Sequence, residues 1–166
     1  MFKKILLAVA VALPLSAMAQ KFGVVDIEAV FTAMPEYTAM QTQLQETSKK
    51  YEDEFMKLQE EVNKLYADYQ TLEKDASTPD AIKERRLQEV QDRYAKVQQF
   101  RETAQQDISR QEQQLSTPIQ QKLTDAIKAV GAEGGFSFIM PKDGLLLYQG
   151  NDVVDVTPQI RTKLGI

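Results

Sequence analysis

Carboxylates, lysines, tyrosines and hydroxyls are the only candidate catalysts in this chain, because it contains no Cys and no His. Lack of Cys removes disulfides, thiol nucleophiles, iron–sulfur clusters and thiolate-held zinc. Lack of His removes the Ser-His-Asp triad, imidazole acid–base chemistry and imidazole metal sites. What remains is hydrolysis by carboxylates, for which Asp26 and Glu28 beside an apolar run are the candidates. Residues of this kind usually end strands or cap helices, and the sequence builds no paired-carboxylate cleft around them. None of the seven Gly residues belongs to a phosphate-binding loop of the Gly-rich, Lys-Ser/Thr type. Lys83, Arg85 and Arg86 form a local basic cluster, but Asp80, Glu84 and Glu89 surround it, which is the pattern of a solvated helix face. With 20 Lys+Arg against 24 Asp+Glu and a pI near 5.0, the chain is too acidic to neutralise a phosphate backbone. The chain therefore reads as a non-enzyme with no cofactor, no metal and no nucleic-acid partner.

The elements that carry the remaining surface are mostly helical. Between Glu36 and Gln114 there is no Gly and a single Pro, Pro79, in a background of Gln, Glu, Lys, Leu and Ala. Apolar residues recur in steps of three and four at Tyr37, Met40, Leu44, Tyr51, Phe55, Leu58, Val62, Leu65, Tyr69 and Leu72. A second stripe runs through Leu87, Val90, Tyr94, Val97, Ala104, Ile108 and Leu115, with Arg101 and Gln111 at the two lapses. Asp75 to Asp80 separates the stripes, with the turn near 75–79. Thr78 is the expected N-cap, and Pro79 suits the first helical position.

If the chain reverses there, each stripe residue meets one whose number brings the sum to 155 or 156. Tyr69 faces Leu87, Leu65 faces Val90, Val62 faces Tyr94, Leu58 faces Val97, Phe55 faces Arg101 and Tyr51 faces Ala104. Thr47 with Ile108, Leu44 with Gln111 and Met40 with Leu115 complete the register. This mirror symmetry is what an antiparallel coiled coil requires. The stripe is mostly two residues per heptad, narrower than the face of a bundle helix. Arms of about forty residues would reach ~60 Å. The expectation is a projecting helical hairpin over residues 36–117.

The chain ends must build the rest. Met1-Phe2-Lys3-Lys4, an apolar run from Ile5 to Leu15 and Ala17-Met18-Ala19 have the three parts of a cleaved export signal over residues 1–19. The apolar stretch from Ile5 to Ala19 falls short of the ~20 residues needed to span a bilayer, and Pro14 interrupts it. Removing it leaves 147 residues starting at Gln20, with 18 basic and 24 acidic side chains, net −6.

Phe22 to Ile27 reads as a strand. Pro118 is expected to kink the second long helix or start a new segment, with an apolar face continuing to Gly131 and Gly134-Gly135 beyond its end. Phe136 to Met140 reads as a strand, Pro141 to Gly144 as a turn, Leu145 to Tyr148 as a hairpin partner and Val153 to Val156 as a short strand. Thr157 is the expected cap of a last helix to Leu164.

The fold class expected is α+β, with a discontinuous β-rich body of residues 21–35 plus 118–166 carrying the inserted hairpin. Such a body has exposed strand edges and little core, which favours an oligomer. Phe22, Val24, Ile27, Phe136, Phe138, Leu145 and Leu147 are its candidate oligomer-forming residues.

The export signal, the Phe22-Gly23-Val24-Val25-Asp26 strand, Pro35-Glu36-Tyr37 at the start of a long helix and Pro118-Ile119 on the returning arm resemble the OmpH/Skp family. So do the Gly-Phe-Ser-Phe-Ile strand at Gly135 to Ile139 and Asp155-Val156-Thr157 before the last helix. The resemblance covers the whole mature chain and lies in the order of the parts. It implies a periplasmic homotrimer whose helical arms enclose a cavity, where unfolded outer-membrane proteins are held without ATP. It also implies transient contact with an outer- or inner-membrane surface. Family members are typically basic. This chain is acidic, so lipopolysaccharide binding is not carried over.

For such a role the apolar residues off the stripes, Met56, Tyr66 and Phe100, are the candidate client contacts. The competing reading is an envelope coiled-coil adaptor for a folded partner. That reading needs a specific tip, whereas Asp75 to Ala81 is small and polar.

Overall fold

A run of apolar and β-branched residues, Lys21–Val25, forms the strand β1, and Asp26 ends it. The Asp26 Oδ1 accepts the Ala29 N–H at 2.8 Å and starts helix α1 (Ile27–Ala33). Ile27, expected in the strand, is therefore the first residue of a helix. A carboxylate that satisfies a free N–H at a helix start outweighs one more β-branched residue in the strand.

A computed structural model of the protein describes residues 20–142 and 148–166. Helix α2 (Pro35–Lys74) and helix α3 (Asp80–Gly134) follow, then strand β2 (Phe136–Pro141), strand β3 (Val154–Asp155) and helix α4 (Thr157–Leu164). The fold is α+β, with the α2–α3 hairpin inserted between the parts of a small sheet-bearing unit. Two compact units result, one of residues 31–122 and one of residues 20–30 with 123–166. The expected export signal at 1–19, and Leu145 and Leu147 of the expected hairpin strand, lie outside the described residues.

In the sheet-bearing unit β1 is central, in the order β2-β1-β3, and both of its pairings are parallel. Phe22 pairs with Phe138 and Val24 with Met140 on one side, and Val24 with Asp155 on the other. Val24, Val25, Val30, Val156 and Ile160 are at most 1% exposed and form the core, joined by Leu123, Ala126 and Val130 of the last turns of α3. The turn from α3 into β2 needs glycine twice. Gly135 sits at φ +64°, and a Cβ on Gly134 would run into the Phe136 ring.

Thr157 does not cap α4. It is the first residue of that helix, and its hydroxyl accepts the Asp26 N–H at 2.9 Å, tying α4 to the end of β1. Asp155 takes the capping part by accepting the Thr157 N–H at 3.0 Å, and its other oxygen accepts Lys142 Nζ at 3.0 Å. The Thr157 hydrogen bonds, then Lys142, hold the Asp155 carboxyl down to about 2.

Pro118 does not break α3, which runs through it. A proline removes one N–H and crowds the preceding turn. The carbonyl that loses its N–H partner is that of Gln114, and the hydroxyls of Ser116 and Thr117 donate one residue earlier, to the Gln113 carbonyl, at 3.3 and 2.7 Å.

Candidate functional site

The hairpin unit is held by its apolar stripes. Met40, Val62, Val90, Val97 and Ala104 are buried, with Val97 fully so. Leu44, Tyr51, Phe55, Leu58, Leu65, Tyr69, Leu87, Ile108 and Leu115 are half-buried. Two helices cover each other along one line only, so most seam side chains keep a flank in water. Tyr94, expected on the same stripe, is 53% exposed. Its ring flanks an open groove beside Val62 and Val90 and stays half in water.

Polar bonds join the arms at Tyr51 and Asp107, and neighbours on the same helix brace Asp107. The Tyr51 hydroxyl donates to Asp107 Oδ2 at 2.6 Å, Gln111 Nε2 donates to the same oxygen at 3.3 Å, and Arg110 pairs with Oδ1. The Tyr51 bond, then the Arg110 charge, holds the Asp107 carboxyl below its ordinary range, and Asp107 in turn raises the Tyr51 phenol. Gln111 pays for its place in the seam, because its buried Oε1 has no hydrogen-bond partner among the described residues. Glu61 pairs with Arg93 at 3.5 Å and Glu36 with Lys122 near the other end.

At the turn, Asp75 Oδ1 accepts the Ser77 N–H at 2.9 Å and the Ser77 hydroxyl at 2.7 Å, while Oδ2 accepts the Thr78 hydroxyl at 2.8 Å. Thr78 thus donates backwards to Asp75 and does not cap α3. These bonds hold the Asp75 carboxyl down to about 2. The tip is a closed polar knot.

Among the mostly polar side chains that the hairpin leaves uncovered, a few are large and apolar. Met56 is 55% exposed, Tyr66 49% and Ile82 41%. Tyr66 and Tyr94 flank an open groove with Val62 and Val90, edged by Gln59, Asn63 and Gln91. Phe100 differs from the other two candidates: it is half-buried, and its ring meets Tyr51 edge-on at 5.9 Å, so it widens the seam. Tyr94 and Ile82 were missed as exposed surface. Tyr94 fell on the stripe by spacing, whereas Ile82 lay off both stripes and could have been found.

In the sheet-bearing unit Phe22 stacks on Phe138 with centroids 6.0 Å apart, and Phe138 is 63% exposed, Met140 45% and Tyr148 85%. Phe136 lies on the opposite face, beneath the Lys21 ammonium at 4.8 Å. Asp26 caps α1, and Glu28 is exposed on that helix. Among the described residues no group of three or more acidic, His or Cys side chains could hold a metal, and no helix is long and apolar enough to cross a membrane.

The model of the family described as outer membrane protein (OmpH-like) matches residues 21–164. No curated protein matches the chain. The family comprises periplasmic chaperones that bind outer-membrane proteins and are not enzymes. A match over nearly all of the sequence, on a hairpin inserted into a small three-stranded sheet, makes this chain a member of the OmpH-like family.

Proposed function

We propose that this protein is exported as a precursor, loses residues 1–19, and acts in the periplasm as an ATP-independent holdase. Copies associate through the sheet-bearing unit into a homotrimer, and their arms enclose a space in which unfolded outer-membrane proteins are kept from aggregating. The observation that carries this reading is the set of single, uncovered apolar side chains along a polar hairpin: Met56, Tyr66, Ile82 and Tyr94. A flexible thioether and amphipathic phenols make adaptable contacts with many sequences, each weak and easily released. Association is supported by the exposed Phe138 and Met140 on one face of a three-stranded sheet, an apolar surface that a second copy would cover.

A denatured outer-membrane β-barrel protein, diluted from urea with and without the purified chain and without nucleotide, tests the function by light scattering. Suppression of aggregation at one trimer per client is expected, and undiminished aggregation would sink the reading. The triple variant M56S/Y66S/Y94S should lose most of the suppression with an unchanged far-ultraviolet spectrum and oligomeric mass.

A further inference from the structure

The end of the mature chain has a chemistry of its own. Gln20 is exposed, lies outside β1 and makes no hydrogen bond among the described residues. The next residue is tightly held: Lys21 pairs with Phe136 in the sheet, its Nζ donates to the Gly134 carbonyl at 3.3 Å, and the same ammonium lies over the Phe136 ring. Gln20 is thus the first free residue outward from an anchored strand. Cleavage after Ala19 would give it an α-amino group four bonds along its own side chain from the amide carbon Cδ.

We propose that Gln20 is a modification site, and that the mature chain begins with pyroglutamate. The neutral α-amine attacks Cδ of the same residue, the new N–Cδ bond closes a five-membered lactam, the Cδ–Nε2 bond breaks, and the amide nitrogen leaves as ammonia carrying the proton lost by the amine. No oxidant, cofactor or second residue is needed. An α-amine with a pKa of about 8 supplies enough free base near neutral pH. All five ring atoms belong to one exposed residue, so closure asks nothing of the fold.

Lys163 in the neighbouring recess is paired with Glu133, so the like charge nearest a terminal ammonium on Gln20 is that of Lys21, the next residue of the chain. Lactam formation removes the terminal charge and leaves a blocked amine that aminopeptidases cannot grip.

The inference rests on the export reading proposed above. The full precursor gene is expressed in a Gram-negative host, free amines are dimethylated at lysis, and the purified chain is cut before Asp26 to release residues 20–25 for mass spectrometry. The expected peptide is unlabelled at its α-amine and one ammonia lighter than the encoded sequence, while Q20A yields the same cut with a fully labelled terminus. A labelled, full-mass Gln20 would overturn the cyclisation and leave export standing. A chain starting elsewhere would overturn the cleavage on which both depend. Holdase activity is measured separately, so its loss bears on the chaperone reading alone.

Discussion

The two units of this protein are stabilised in opposite ways. The sheet-bearing unit concentrates its burial: Val24, Val25, Val30, Val156 and Ile160 are all but inaccessible, and hydrogen bonds from residues far apart in sequence knot the strand ends together. The hairpin unit spreads its burial along a line, with many half-covered residues and few sealed ones. A concentrated core fails at single points, whereas a line of partial contacts weakens step by step. On the proposed function the second arrangement suits the hairpin, because a wider apolar seam would hide the side chains proposed to meet clients.

The contrast can be broken most forcefully at Ile160. Ile160→Ala empties a sealed position and should cost about 2–5 kcal/mol, with hydrogen exchange accelerated in β1 and β2. Equal loss of protection in α2 would contradict the division of labour. Val97→Ala, at the one fully sealed seam position, should cost about 2 kcal/mol, and Leu58→Ala, half-buried, about 1 kcal/mol. Urea melts that rank Leu58 above Val97 would show that burial along the seam does not follow exposure.

Acid sharpens the comparison further. Asp155 and Asp75 have folded pKa values depressed from 3.8 to about 2. Each contributes stability that is complete above the unfolded value and disappears as pH falls from about 4 through about 2. Asp155→Asn and Asp75→Asn should therefore be less stable than the parent near neutral pH and converge with it near pH 2. Both effects are small, because both carboxylates are largely in solvent. A constant gap across the acid range would assign the loss to packing. The smallest net effect is expected from Gln111→Leu, because removing the orphaned buried oxygen is offset by losing the 3.3 Å bond to Asp107, and a thermal melt should move less than for Leu58→Ala.

The hairpin was legible because its signal repeats: nine expected pairs whose numbers sum to 155 or 156 point to one reversal of the chain. The sheet was legible only as separate strands. Parallel pairing of β1 with β2 and β3 joins segments more than a hundred residues apart, and no local turn announces it. The local errors share one cause, a side chain satisfied by an unforeseen partner. Thr78 turns back to Asp75, and Thr157 meets Asp26. Among the candidate contacts, spacing alone could not separate Phe100, which leans on Tyr51, from Tyr66, which does not leave the surface.

The strand order carries a consequence for how the chain comes into being. Among the described elements β1 is the first to be made, yet both of its neighbours lie at the far end, and Val24 must wait for Asp155. Until then it is a naked edge on a nascent chain. The arms solve this by arithmetic of distance: zipping them side by side, with Glu36 brought to Lys122, shortens the effective loop that β1 must close. On this account the hairpin is a chaperone for its own sheet before it meets any other protein.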